Sequence, residues 1–200
     1  FTSNVDNESE ETLQKYQSIL QHYTEELNHD PKNKTLILAV ASAYNSIKDY
    51  QHAIEYYNKA LELEPDSFDI QKSLALAYLA NNQLDLSQKL LEQLIAKEPN
   101  NPTLLGALGR IESHRHHLDL AEKYYQQALA IDPSNFTARY YLAELMIEKK
   151  QYDLAQKSLE ELLNENPKAG WVQQALLRAK LEPIINDIHG LILQEKFNDA

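Results

Sequence analysis

Five of the seven prolines stand at positions 31, 65, 99, 133 and 167, an interval of 34 residues each time. A fixed period of this length marks a chain built from stacked supersecondary units rather than one layered core. Each proline lacks a backbone donor and turns the residue before it away from helix, so it closes a unit. Other columns keep the same step. Ala41, Ala75, Gly109 and Ala143 are all small, as are Ala53, Ser87, Ala121 and Ala155, whereas Tyr57, Leu91, Tyr125 and Leu159 are all large. Asn33, Ser67, Asn101 and Asn135 follow the first four of these prolines, and their side-chain oxygens suit helix N-caps. Pro102, directly after Asn101, falls where a helix tolerates proline best.

Each unit reads as two antiparallel helices. In the second unit, Leu74, Ala75 and Tyr78 form one apolar stripe, and Leu84, Leu90, Leu91, Leu94 and Ile95 form another after a turn at Asn81–Asn82. The small columns let two backbones approach closely, and the large column fills space toward the next unit, which puts Tyr57 and Tyr125 in the core. Ahead of the first unit, the polar and acidic stretch 1–10 reads as disordered or a linker remnant. Residues 11–33 read as a lone capping helix with Ile19, Tyr23 and Leu27 on one face. After Pro167 the period breaks. Trp171, Ala175, Leu176 and Ala179 suggest one helix, and Ile184, Ile185, Ile188, Leu191 and Ile192 a second beyond Pro183. The stretch 191–200 also slides onto 146–155, so the segment 170–200 is either a capping pair or the start of a further repeat.

These columns closely resemble the tetratricopeptide repeat family, in which small residues meet at the helix crossing and a proline closes the unit. The resemblance covers 34–67, 68–101, 102–135 and 136–169 as four full repeats. The family's early tryptophan is replaced by Ile37, Gln71, Leu105 and Arg139. Its tyrosine survives as Tyr44 and Tyr78 but becomes Glu112 and Met146. The implied fold class is all-α: a right-handed α-solenoid of helix–turn–helix repeats with extra helices at both ends.

Composition narrows the function. Thirty acids against nineteen bases give a net charge of -11, which opposes a role in tracking phosphate backbones. The chain has no cysteine and only four glycines, so thiolate metal sites, thiol nucleophiles and Gly-rich phosphate loops are excluded. The apolar runs Leu36–Ala41 and Leu74–Ala80 are far shorter than the ~18–20 residues of a membrane helix. Phe1 stands where an initiator methionine would, so we expect a processed or excised chain with any signal or anchor upstream. The acidic leader favours a tethered bacterial protein with a periplasmic array. His114, His116 and His117 cluster in the turn of the third repeat, where a solvated turn explains them better than a metal. The paired acids Glu10–Glu11 and Glu160–Glu161 face no common pocket, so no catalytic constellation is expected, and no cofactor.

The family resemblance implies a concave groove lined by the first helices. Its columns here are Leu38, Lys72, Gly106 and Tyr140; Ser42, Leu76, Arg110 and Glu144; and Asn45, Leu79, Ser113 and Ile147, with His114 adjoining. Apolar pockets beside a few charges suit a peptide or helix of another protein, including a basic or amphipathic one. The chaperone-type carboxylate clamp of the family is not matched, since only Lys72 among its positions is basic. The expected function is a non-enzymatic adaptor or scaffold. The alternatives are the repeat segment of a larger protein, such as a glycosyl- or sulfo-transferase or a polysaccharide exporter, and a self-associating assembly module.

Overall fold

The computed structural model describes residues 3–198, with side chains described for 13–194. They form ten helices: α1 (Ser3–His29), α2 (Lys34–Ser46), α3 (Tyr50–Leu63), α4 (Phe68–Ala80), α5 (Leu84–Lys97), α6 (Pro102–His114), α7 (Leu118–Ile131), α8 (Phe136–Glu148), α9 (Tyr152–Glu165) and α10 (Gly170–Asn198). The class is all-α, in helix–turn–helix repeats, as the proline period requires. Two compact units divide the chain, Phe1–Pro99 and Asn100–Ala200.

The start of each repeat follows from its cap. The side chains of Asn33, Asn101 and Asn135 accept from the amides of Leu36, Leu104 and Ala138 at 3.1, 3.3 and 2.9 Å, satisfying donors that the first helical turn leaves open. Ser67 sits in the same column and makes no such bond. Between the two helices of each repeat, Lys48, Asn82, His116 and Lys150 adopt the left-handed conformation, with φ of 63°, 57°, 60° and 60°. That geometry lets the chain reverse within a few residues, and its cost is borne here without glycine.

In the first unit, Leu20 and Leu27 of α1 join Val40 and Ala41 of α2, Ala53 and Tyr57 of α3 and Leu74 of α4 in one apolar cluster. α1 starts at Ser3, inside the segment whose polarity suggested a linker. No proline or glycine lies between 3 and 29, so nothing in the chain ends the helix earlier. Residues 1 and 2 of that segment lie outside the described residues. Ser87, a polar member of a small column, is fully buried and donates its hydroxyl to the carbonyl of Ala75 at 2.8 Å. One hydrogen bond thus removes the penalty of burying the hydroxyl at the crossing.

In the second unit, Ala121 and Tyr125 of α7 pack with Leu145 of α8, and Ala143, Ala155, Leu159, Val172 and Ala179 form a second cluster from α8, α9 and α10. Where two helices were expected after Gly170, the structure has one. α10 begins one period after α8 and repeats a bond of the array: Gln173 Nε2 donates to the carbonyl of Pro167 at 2.7 Å, as Gln71 Nε2 does to Pro65 at 2.8 Å. The hairpin then fails to form. Leu177 and His189 replace small residues in the crossing columns, and Ile184 occupies the left-handed turn position, which a β-branched side chain resists. The helix runs through Pro183 instead. Proline leaves the carbonyl four residues back without its helical donor. That carbonyl, on the fully buried Ala179, accepts from Gln156 Nε2 of α9 at 3.1 Å.

Candidate functional site

A cavity of about 330 Å³ opens in the second unit between α6, α7 and α8. Arg110, Ser113, Tyr125, Tyr141 and Glu144 line it, and the exposed His114, His116 and Glu148 complete the lining. Two sequence features create the space. In repeats two and four the column of Ser113 holds Leu79 and Ile147, which are 2% and 1% exposed. Ser113 is too small to fill that volume. One turn earlier, Gly109 lets the Tyr125 ring approach α6 so closely that a Cβ added there would meet ring carbons at 2.6 and 2.8 Å.

The electrostatics follow from the packing. The Arg110 guanidinium lies 4.6 Å from the centre of the Tyr141 ring, a cation–π contact. Its Nε is buried without a hydrogen-bond partner among the described residues, an arrangement that costs about 1–3 kcal/mol until an acceptor arrives. Glu144 is engaged elsewhere: it accepts from the Tyr140 hydroxyl at 2.9 Å and is ion-paired with Arg178. Burial, and then the Glu144 charge, push the Tyr140 hydroxyl above the usual phenol range, so it remains a donor. Burial likewise raises the Tyr125 hydroxyl, and the facing Arg110 pulls the other way. Partial burial, reinforced by the Arg110 charge, holds the His114 imidazole below the usual histidine range.

Of the groove residues expected from sequence, the cavity gathers Arg110, Ser113, His114 and Glu144, with Tyr140 bonded to Glu144 behind it. Leu79 and Ile147, expected as exposed apolar contacts, are core residues. Ile147 packs with Ala143, Ala155 and Leu159, because an apolar side chain in this column turns into the hairpin. In the first unit, Leu38 is half-buried against the apolar cluster and Leu76 is half-buried. Ser42 and Asn45 are not core residues, and Lys72 is tied to Asp69 at 2.8 Å over the Phe68 ring. Of the turn histidines, His114 and His116 both line the cavity, His116 from the left-handed turn position, whereas His117 Nδ1 lies 2.8 Å from the buried Glu112. Among the described residues no group of three or more metal-binding side chains converges. Sequence reasoning placed Tyr125 in the core and omitted Tyr141; the small pair Gly109 and Ser113 on one face of α6 was the available signal.

A family model described as tetratricopeptide repeat matches residues 46–111 and 115–181. No curated protein sequence matches. Among solved structures, the chain is similar to MamA from Desulfovibrio magneticus RS-1, at 20% identity over 82% of this chain and 94% of that one, with a TM-score of 0.59. It is also similar to TTC0263, a thermophilic TPR protein of Thermus thermophilus, at 20% identity over 84% and 92% of the chains, with a TM-score of 0.68. Against the APC/C hetero-tetramer Cut9–Hcn1 the identity is 18%, the coverage 86% of this chain and 34% of that one, and the TM-score 0.70.

Proposed function

The chain belongs to the tetratricopeptide repeat family, and from that premise we propose that it is a non-enzymatic adaptor whose second unit holds an acidic segment of another protein. The observation that carries this reading is Arg110: a cation stacked on Tyr141 in an open cavity, with a buried Nε that lacks an acceptor among the described residues. A carboxylate is the chemistry that answers it. The guanidinium offers a fixed fork of donors, and a charge-assisted pair there would be partly shielded from water. The hydroxyls of Ser113 and Tyr125 supply further polar contacts, and the tyrosine faces supply apolar wall. Glu144 does not compete for the site, since Arg178 and Tyr140 occupy it. One structural neighbour, Cut9, forms a hetero-tetramer with Hcn1, which is consistent with a binding role for such repeats.

The test is fluorescence anisotropy with a panel of labelled peptides, each acidic peptide paired with its amide isostere. Acidic peptides should bind, and the amides should bind at least ~10-fold more weakly. Arg110→Ala should erase that preference, while Lys72→Ala, in the first unit, should leave it intact. Binding that is indifferent to Arg110 and to the carboxylate would refute the proposal.

A further inference from the structure

Beyond Pro183, α10 runs clear of the core, and Asn186 Nδ2 reaches back to donate to the Tyr152 hydroxyl of α9 at 3.2 Å. Every residue from 184 to 194 is exposed, yet the segment is rich in isoleucine and leucine. Ile184, Ile188 and Leu191 are 55%, 51% and 62% exposed. Helices of this length are marginal alone in water, and an apolar one is stabilised mainly by packing of its apolar face. Together with Leu177 and Leu181, these three residues fall at intervals of four, three, four and three, the spacing of a coiled-coil seam. Ile185 and Ile192 widen the seam on one flank.

We infer that this seam pairs with the same seam of a second copy, antiparallel about a twofold axis. The spacing is self-complementary. Pairing about the axis sets Leu181 opposite Leu191 and Ile184 opposite Ile188, and symmetry repeats both layers in the other half. An antiparallel order also sends the helices packed on residues 170–182 to opposite ends of the pair, where a parallel order would crowd them. The area agrees. Seven aliphatic side chains near half exposure offer roughly 90 Å² each, or about 1,200 Å² for two copies, the lower bound of a standard specific interface. A single patch of roughly 600 Å² lies at the top of what monomers leave open. The four layers from Leu181 to Leu191 bring no charge into the seam, since all four positions are Leu or Ile; Leu177 lies beyond them, opposite position 195, at the solvent-exposed end. Each copy carries a net charge of -11, so the pairing should tighten as salt is added.

Sedimentation equilibrium on the whole chain tests this, from about 1 to 100 µM at low and moderate salt. The expected result is an equilibrium between 23.0 kDa and twice that mass. Ile188→Glu and Leu191→Glu should each weaken the dimer at least ~100-fold while leaving Trp171 fluorescence and the unfolding midpoint of the second unit's core unchanged, since neither side chain packs on the fold. Ser42→Glu, on the surface of the first unit, should change nothing. A chain that stays at 23.0 kDa throughout, whether or not it then binds anionic lipid vesicles or a foreign helix, overturns the inference. So does a dimer that survives both substitutions. Neither outcome bears on Arg110, so this result and that of the peptide assay are independent.

Discussion

Substituting alanine for Gly109 sets two effects of opposite sign against each other. Alanine in a helix interior is worth about 1 kcal/mol over glycine, so propensity alone predicts stabilisation. The structure predicts the reverse. The new Cβ would stand 2.6, 2.8 and 3.1 Å from carbons of the Tyr125 ring, where contacts relax only beyond ~3.5 Å. Tyr125 is 1% exposed and stacked on Tyr141 at 6.2 Å, so moving the ring away from α6 disturbs that stacking and the burial of the ring. Overpacking of this kind costs about 1–3 kcal/mol, leaving Gly109→Ala destabilising by about 1 kcal/mol net. The array itself supplies the relief. Repeats two and four pair alanine with leucine, as Ala75 with Leu91 and Ala143 with Leu159. Tyr125→Leu alone should cost about 1–2 kcal/mol through lost contacts. Adding Gly109→Ala to it should then recover about 1 kcal/mol, so the glycine substitution changes sign and the double-mutant cycle gives a coupling of about 2 kcal/mol. Urea unfolding followed by Trp171 fluorescence reads the second unit, because this tryptophan lies 4.2 Å from the Tyr140 ring centre. Midpoints should move by about 0.5–1 M at constant slope. A stabilised Gly109→Ala in the Tyr125 background would refute the steric argument.

Three further outcomes follow from the same geometry. Gln156→Ala should expose an unpaired buried carbonyl on Ala179 and cost about 1–2 kcal/mol, and Pro183→Ala in addition should restore most of it by supplying the missing amide; amide exchange along α10 reads both. Asn135→Ala should cost about 1 kcal/mol in thermal or urea unfolding, whereas Ser67→Ala, which removes no cap bond, should fall within about 0.5 kcal/mol of the parent. The His114 imidazole should titrate by NMR below the usual histidine range, and Arg110→Ala should raise it part of the way. Because its folded value lies below its unfolded one, its contribution to stability is whole above the unfolded value near 6.5 and is lost as pH falls through the folded one; His114→Asn should remove that component.

The architecture was legible because its signals are local and repeated. Prolines at one interval, asparagine caps and small crossing residues each act within a few positions, and each occurs several times. The fate of the groove columns was less legible. Leu79 and Asn45 share a column, and which of them is buried depends on whether the side chain gains by turning inward, which position alone does not decide. The cavity is a product of differences between repeats, Ser113 against Leu79 and Gly109 against Ala75, and it needs neighbouring helices to give those differences volume. Pro183 looked like a boundary because its remedy, Gln156, lies on another helix. The register of Gly170 with Phe136 was readable, and so was Ile184 in a turn column otherwise held by lysine, asparagine and histidine.

That turn column has an evolutionary consequence. An array of this kind is extended repeat by repeat, and an added segment extends the fold only if the chain can reverse where the new hairpin needs it. Four positions here accept the reversal, and a fifth, Ile184, refuses it. Repeat number is therefore gated by a few positions, the turn residue together with the two small crossing residues that Leu177 and His189 replace here, and a lineage could lengthen or end such an array with few codon changes. The same changes would exchange an extended helix with a bare aliphatic seam for a closed hairpin. On the inference drawn above, the number of repeats and the assembly state of the chain would then vary together.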